Sequence, residues 1–228
     1  MIRRLLHGED RHFVAIPAIR LAYARIPKAA NSMLKRQIAR AAGIEELFPN
    51  GYSKDRDWAA AAPHAYLVSA VELRRRWPDM FVFTFVREPM SRLASCYRSK
   101  VERKGRPPKR RPLEGMGPET PFDAFVEHVA RRPDRRANVH YRGQASMLAP
   151  GGRLAPDFVG RFETLREDWA RLQEALAARG GPTLPALPPR RRALPIADPG
   201  EYFRGDGRLV DLARRRFADD YRTFYRDA

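Results

Sequence analysis

The sequence predicts an α/β domain with a mainly parallel central sheet and helices on both faces. Three observations predict it. Short apolar runs alternate with stretches of helical periodicity, most clearly in the first half of the chain. One run, Phe81–Val86, is almost continuously apolar, as expected of a central strand covered on both faces. Two capping-box patterns, Ser69 with Glu72 and Thr164 with Glu167, mark helix starts just after such runs. With 228 residues and no internal repeat, residues 1–228 read as one domain.

Taken in order, residues 12–16 and 21–26 are extended and are separated by Pro17. A helix follows over 33–42, and Gly43 stops it. Residues 64–68 form a short strand, and Ser69 opens a helix that Pro78 closes. After Phe81–Val86, Pro89 stands at a first helical position, with Met90, Leu93, Ala94, Tyr97 and Val101 at helical spacing. Residues 103–121 form a basic, proline-rich loop, in which six of the nine residues 103–111 are basic. A helix over 122–130, a strand over 158–162 and a helix after Thr164 with Leu165, Trp169, Leu172 and Leu176 on one side come next. Residues 180–200 are irregular and rich in proline and arginine, and a single helix over 209–224 ends the chain.

Composition narrows the function. Hydrophobic residues make up 43%, enough for a buried core. The single cysteine, Cys96, rules out an intrachain disulfide and a cysteine-built zinc site, and reads as a buried small residue. No apolar stretch approaches the roughly 20 residues of a membrane span, and residues 1–10 lack the pattern of a signal peptide. The expectation is a soluble protein of a reducing cytoplasm. The net charge is +17, and all but six of the 44 basic residues are arginine. Such a surface attracts anions, and arginine suits bidentate recognition of phosphate, sulfate or carboxylate. A coding bias toward arginine explains the excess equally well.

Open α/β sheets bind ligands at the carboxyl ends of their strands, so two strand-to-helix junctions draw attention. The first is Ile26-Pro-Lys-Ala-Ala-Asn-Ser32. Its small residues permit a tight turn, the amides of Ala29, Ala30, Asn31 and Ser32 are placed to meet an anion at a helix N-terminus, and Lys28 adds a point charge. Ser32 either caps the helix or donates to the anion. The Walker pattern is absent, since the loop has no glycine and its lysine precedes the turn. The second junction is Phe85-Val-Arg-Glu-Pro-Met-Ser-Arg-Leu-Ala-Ser-Cys-Tyr97. Arg87 leaves the strand at its carboxyl end and Ser95 follows eight residues later, a pair suited to clamping a phosphate monoester. Arg92 pairs with Glu88 or braces the turn.

These two segments resemble the phosphosulfate-binding loop and the 3′-phosphate signature of sulfotransferases. Together they resemble the carbohydrate branch that includes the chondroitin and heparan 2-O enzymes. Residues 138–144 and 159–168 are similar to weaker blocks of that branch, so the similarity spans most of 20–225. The resemblance implies a P-loop-like three-layer fold and the co-substrate 3′-phosphoadenosine-5′-phosphosulfate (PAPS), with no metal. By position, Lys28 and residues 29–32 hold the phosphosulfate, and Arg87 and Ser95 hold the 3′-phosphate. The acceptor implied is a hydroxyl on a carbohydrate, acidic ones included. The membrane anchor and disulfides of the Golgi relatives are missing, which fits a soluble, bacterial enzyme.

Sulfuryl transfer needs an in-line geometry, a stabilised leaving group and a base for the acceptor hydroxyl. Lys28 suits the leaving phosphate. Of His7, His12, His64, His128 and His140, the favoured base is His64, which stands 23 residues before Arg87, a spacing like that of the base in the heparan 2-O relatives. His140 is the runner-up, and Glu163 is a weaker candidate. Two other readings stay open: a basic nucleic-acid-binding protein without specific signature, using the charged runs at 103–111, 131–136, 190–192 and 214–216, and an ATP-dependent kinase. Neither the acceptor's identity nor the oligomeric state is legible.

Overall fold

β1 (Phe13–Ile16) and β2 (Leu21–Ala24) pair as a hairpin in the computed structural model, which describes residues 11–52, 54–102, 112–149, 152–189 and 199–226. Residues 17–20 join the two strands in one tight turn, with Arg20 in left-handed backbone at φ 50° and its N–H donating to the Pro17 carbonyl at 3.0 Å. A connection this short can only reverse the chain, because a parallel partner needs a crossover of about a dozen residues or more. β3 (Tyr66–Val68) pairs antiparallel with β1 on its other side. β4 (Phe81–Val86) and β5 (Phe158–Arg161) extend the sheet, each parallel to its inner neighbour. The order is β3-β1-β2-β4-β5. The sheet is therefore mixed, with the expected parallel core β2-β4-β5. Only β1 runs against the other four strands among the described residues.

The helices are α1 (Asn31–Ala41), α2 (Asp55–Ala59), α3 (Ala70–Arg76), α4 (Pro89–Tyr97), α5 (Phe122–Ala130), α6 (Gln144–Leu148), α7 (Leu165–Ala177), α8 (Pro199–Phe203), α9 (Gly207–Arg216) and α10 (Ala218–Phe224). The Ser69–Glu72 capping box forms in both directions, at 3.1 Å each way. The Thr164–Glu167 box does not form. Thr164 sits at φ −111°, ψ 36°, outside the extended region a capping residue uses, and its hydroxyl donates to Asp168 at 2.9 Å. Asp168, buried, also accepts the Arg161 N–H and so ties the end of β5 to α7. The single terminal helix expected over 209–224 is broken at Phe217, which is buried. Residues 103–111 and 190–198, which carry two of the basic runs, lie outside the described residues.

The chain divides into two compact units. The first comprises Met1–Val86 and Met147–Pro189 and holds the whole sheet. Its core joins Tyr23, Phe83, Phe85 and Trp169 with the inner faces of α1 and α7. The ring centroids of Tyr23 and Phe83 stack at 5.1 Å. β5 packs tightly here, because a Cβ on Gly160 would stand 2.4 Å from Phe85 Cε1. The second unit comprises Arg87–Ser146 and Arg190–Ala228 and is helical. Its core gathers Leu93, Cys96, Val101, Phe125, Val129, Tyr141, Phe203 and Phe217.

Candidate functional site

The loop after β2 is built under strain. Lys28 (φ 75°) and Ala30 (φ 56°) both occupy left-handed backbone without being glycine. Each such residue costs on the order of 1–3 kcal/mol, and such costs gather where backbone groups must point in a required direction. Below the loop, Thr84 of β4 donates its hydroxyl to the Ala24 carbonyl at 2.7 Å, and the Arg25 N–H reaches the His12 carbonyl at 2.7 Å. The N–H of Ala29 is used within the turn, donating to Ile26 at 3.3 Å, and Ala29 is wholly buried. Its expected place among the anion-facing amides is thereby corrected. Ala30, the N-cap, has no side-chain cap to offer, so Ser32 does not cap the helix: it is the second residue of α1, exposed. The N–H groups of Ala30, Asn31 and Ser32 have no acceptor among the described residues, as the first turn of a helix requires. Two left-handed residues leading into three outward amides make an anion-binding concavity, and the lysine of the loop adds charge.

A buried cation pair backs this loop. Lys35, one turn into α1, is fully buried and donates to Asp55 at 2.9 Å, while Arg25, at 5% exposure, also pairs with Asp55. Burial pushes the Lys35 ammonium down to about 8, the Arg25 charge adds to that, and Asp55 opposes it. Sequence reading missed this group, because a lysine on an otherwise ordinary amphipathic helix carries no signal of burial.

The second segment is held by the helical unit. Arg87 is buried, and its peptide is bracketed by Gln144: the Arg87 N–H donates to Gln144 Oε1 at 2.9 Å and Gln144 Nε2 donates to the Arg87 carbonyl at 2.8 Å. Asp220, also buried, accepts the N–H groups of Gln144 and Ala145 at 2.9 and 2.8 Å. Burial raises the Asp220 carboxyl's pKa, and those amides and Arg92 work against the rise. The break at Phe217 turns α10 so that Asp220 faces α6. Glu88 caps α4 by accepting from Met90 and Ser91. Arg92, almost wholly buried, reaches a distant turn, donating to the carbonyls of Arg142 at 2.7 Å and Val139 at 3.3 Å. Ser95 is half-buried on α4.

The histidines separate by position. β3 begins at Tyr66 opposite Ala15 and ends at Val68 opposite Phe13, so it runs with β2 and β4. His64, exposed, therefore enters at the amino ends of these strands, while Lys28 leaves at their carboxyl ends. The four residues of β2, roughly 13 Å of strand, lie between the two edges. The expectation that His64 works beside Lys28 is corrected on this ground. His12 is at the carboxyl edge but 4% exposed, and His128 Nε2 is bound to Glu114 at 2.7 Å. His140 is half-buried in the second unit, on the loop that Arg92 clamps, with Nδ1 2.8 Å from Asn138 Oδ1. Glu163 is exposed just beyond β5.

An α/β sheet whose carboxyl edge carries a loop with two left-handed residues, a lysine and a helix start has the backbone form suited to a phosphate- or sulfate-bearing ligand. A model described as the sulfotransferase family matches residues 11–225, and the chain belongs to that family. It is similar to carbohydrate sulfotransferase 14 of Homo sapiens, 29% identical over 182 residues, covering 74% of this chain and 47% of that protein. Carbohydrate sulfotransferase 11 of Rattus norvegicus is 28% identical over 193 residues (73% and 53%), and carbohydrate sulfotransferase 9 of Homo sapiens is 26% identical over 185 residues (72% and 39%). The chain spans about half the length of the curated relatives it matches or less. No solved structure matches. The relatives correct two expectations. They are animal proteins, so a bacterial origin has no support among them. They are also carbohydrate sulfotransferases, and these relatives overturn the cytoplasmic placement. Among the described residues, no helix is long and apolar enough to cross a membrane.

Proposed function

We propose that this chain moves a sulfuryl group from PAPS to a hydroxyl of a carbohydrate. The observation that carries the reading is the loop after β2, whose strained Lys28 and Ala30 lead into three outward amides in a chain of the sulfotransferase family. Lys28 and the N–H groups of Ala30, Asn31 and Ser32 hold the 5′-phosphosulfate. Arg87 and Ser95 take the 3′-phosphate. Supporting this division, β2 and β4 are parallel neighbours, so the two strands that lead into these segments end at the same sheet edge. The names of the relatives support a carbohydrate acceptor.

The reaction is an in-line displacement at sulfur. The acceptor oxygen forms the new O–S bond, the bridging O–S bond breaks, and 3′-phosphoadenosine-5′-phosphate (PAP) leaves with the electron pair. Lys28 neutralises charge growing on that bridging oxygen. His140 takes the acceptor proton. Its ring Nδ1 lies 2.8 Å from Asn138 Oδ1.

The nucleic-acid reading loses ground on the charged runs. Arg131, Arg132 and Arg216 are paired with Glu127, Glu114 and Asp134. Titrating the protein with PAP, magnesium-ATP and random duplex DNA tests the proposal. Saturable binding of PAP alone, and PAP release from PAPS with desulfated chondroitin or desulfated heparan as acceptor, is the expected result. ATP or DNA binding as tight as PAP overturns it.

A further inference from the structure

We propose that a cleft at the amino-terminal edge of the sheet is a second saccharide site, which holds an acidic sugar of the acceptor chain away from the sugar that receives sulfate. The class of the occupant rests on the carbohydrate acceptor proposed above. The cleft itself stands on its own geometry.

The cleft lies wholly within the first unit and has a volume of about 630 Å³, inside the roughly 300–1,000 Å³ of small-molecule sites. Ile19, Phe81 and Leu176 line it with apolar surface, and Arg20, Asp79 and Arg179, all exposed, line it with charge. Arg20 is fixed through both of its backbone groups. Its N–H donates to the Pro17 carbonyl at 3.0 Å, and its carbonyl accepts the Phe81 N–H at 3.2 Å. The second bond ties the turn before β2 to the start of β4, two residues after Asp79. Arg179 arrives from the end of α7, with its guanidinium 5.1 Å from the centre of the Phe81 ring. Three separate stretches of chain thus converge on one opening.

The charges in this cleft do not cancel. Arg40 and Arg171, also in the first unit, pair with Glu45 and Asp168. Among the described residues, Arg20, Arg179 and Asp79 form no ion pair, with each other or with any neighbour, although all three line the same cleft. The mixture of signs selects the ligand. A bare phosphate or sulfate asks only for donors, and both Asp79 and the carboxyl end of α7 oppose it. A sugar acid asks for donors and acceptors together. Its carboxylate meets guanidinium groups, its ring hydroxyls donate to the Asp79 carboxylate, and its C–H face lies on apolar surface. Arg20 also sits in left-handed backbone at φ 50°, a position that suits glycine better, so the turn alone does not call for arginine.

Position gives the cleft its role. Arg20 and Asp79 precede β2 and β4, whereas the Lys28 loop follows β2, and roughly 13 Å of strand separates the two edges. A sugar in the cleft is therefore not the one that is sulfated. Two linked contacts raise the affinity of a long acceptor and do nothing for a short one.

The test uses the full chain as wild type, the double variant Arg20→Gly with Arg179→Gln, and Asp79→Asn. Glycine suits the left-handed turn and glutamine keeps part of the stem over Phe81, so the double variant is expected to fold, with its thermal unfolding as the check. With PAPS and polymeric desulfated chondroitin, the double variant is expected to raise KM at least about fivefold, the scale of a lost charge-assisted contact at an exposed site. Its kcat, its PAP affinity and its KM for the desulfated disaccharide are expected to stay within about twofold, the pattern of lost ground-state binding. Calorimetric titration with the same polymer at about 0.15 M salt reads the cleft without turnover. There Asp79→Asn is expected to weaken the polymer and to leave random duplex DNA unchanged or tighter, since a plain polyanion only loses a repulsion. An unchanged polymer KM and affinity in the double variant, or a polymer that binds Asp79→Asn more tightly, overturns the proposal. A wild type that binds the polymer but releases no PAP from PAPS would instead sink the sulfotransferase reading, and the calorimetric comparison would still decide the cleft.

Discussion

Single side chains at this site differ in what their loss removes. Arg87 has its peptide locked by Gln144 and its side chain buried, so truncation to alanine leaves those backbone bonds in place while removing the side chain and its charge. Arg87→Ala is expected to weaken PAP binding by about 1.5–3 kcal/mol, the range for a lost charge-assisted bond, read by calorimetric titration. Unchanged affinity would remove Arg87 from the donor site. Histidine substitutions carry the opposite contrast. His64 is exposed and belongs to the amino-terminal sheet edge, so His64→Ala is expected to leave turnover near normal. His140→Ala is expected to lower it by roughly 10²–10⁴-fold with PAP affinity retained. Steady-state rates of the two variants side by side decide the assignment, and a large loss in His64→Ala reverses it. The spacing from Arg87 pointed to His64 because spacing along the chain is blind to strand direction. The pairing of β3 shows at which sheet edge His64 enters, which the 23-residue spacing does not.

Elements show the same division between local and distant causes. Ser69 with Glu72, the fully buried β4 and Pro89 at the head of α4 are all legible, because each depends on a few neighbouring residues. The Thr164 corner is not, since its cap comes from Asp168 bridging to Arg161, a tertiary arrangement that overrides the local pattern. The break at Phe217 escapes for the same reason: periodicity runs straight through it, and only the need to bring Asp220 against Gln144 accounts for the turn. Gly160 is a further case, readable only once Phe85 is seen across the strand pair. Gly160→Ala is expected to cost about 1–3 kcal/mol by overpacking, measured by urea unfolding. A neutral result would mean the ring has room to move. Lys35 adds a pH dependence to α1. Its folded pKa of about 8 lies below the unfolded value of about 10.4, so between them the unfolded chain binds more protons. Its burial penalty applies in full below pH 8 and is relieved as pH rises through that window. Relative to Lys35→Met, wild-type stability is expected to climb from pH 8 to 10, and parallel curves would contradict the shift.

For the whole molecule, the difficulty is to distinguish a built site from a cationic surface. A net charge of +17 draws any polyanion, so affinity at low salt says little about recognition. At about 0.15 M salt the screening length is about 8 Å, and exposed arginines already paired to acids, such as Arg131 with Glu127, contribute little. What remains is the loop after β2 and the segment after β4, the two parts whose motifs were legible in sequence because strained turns and helix starts are written in consecutive residues. The braces of the second segment come from distant chain: Gln144 was legible only as part of a weaker block, and Asp220 was not legible at all. A ligand that binds only the folded protein stabilises it by about 2.7 kcal/mol when present at 100 times its Kd. For a chain of this length that corresponds to a rise in Tm of roughly 5–10 °C. PAP is expected to produce that rise at 0.15 M salt, and duplex DNA at matched phosphate concentration is not. Adenosine 5′-phosphosulfate, which lacks the 3′-phosphate, is expected to give a smaller shift that Arg87→Ala leaves unaltered, because that ligand has nothing for Arg87 to hold. With PAP the same variant is expected to lose most of the shift. Equal shifts from DNA and PAP, or an Arg87→Ala effect that ignores the 3′-phosphate, would reduce the donor site to surface charge.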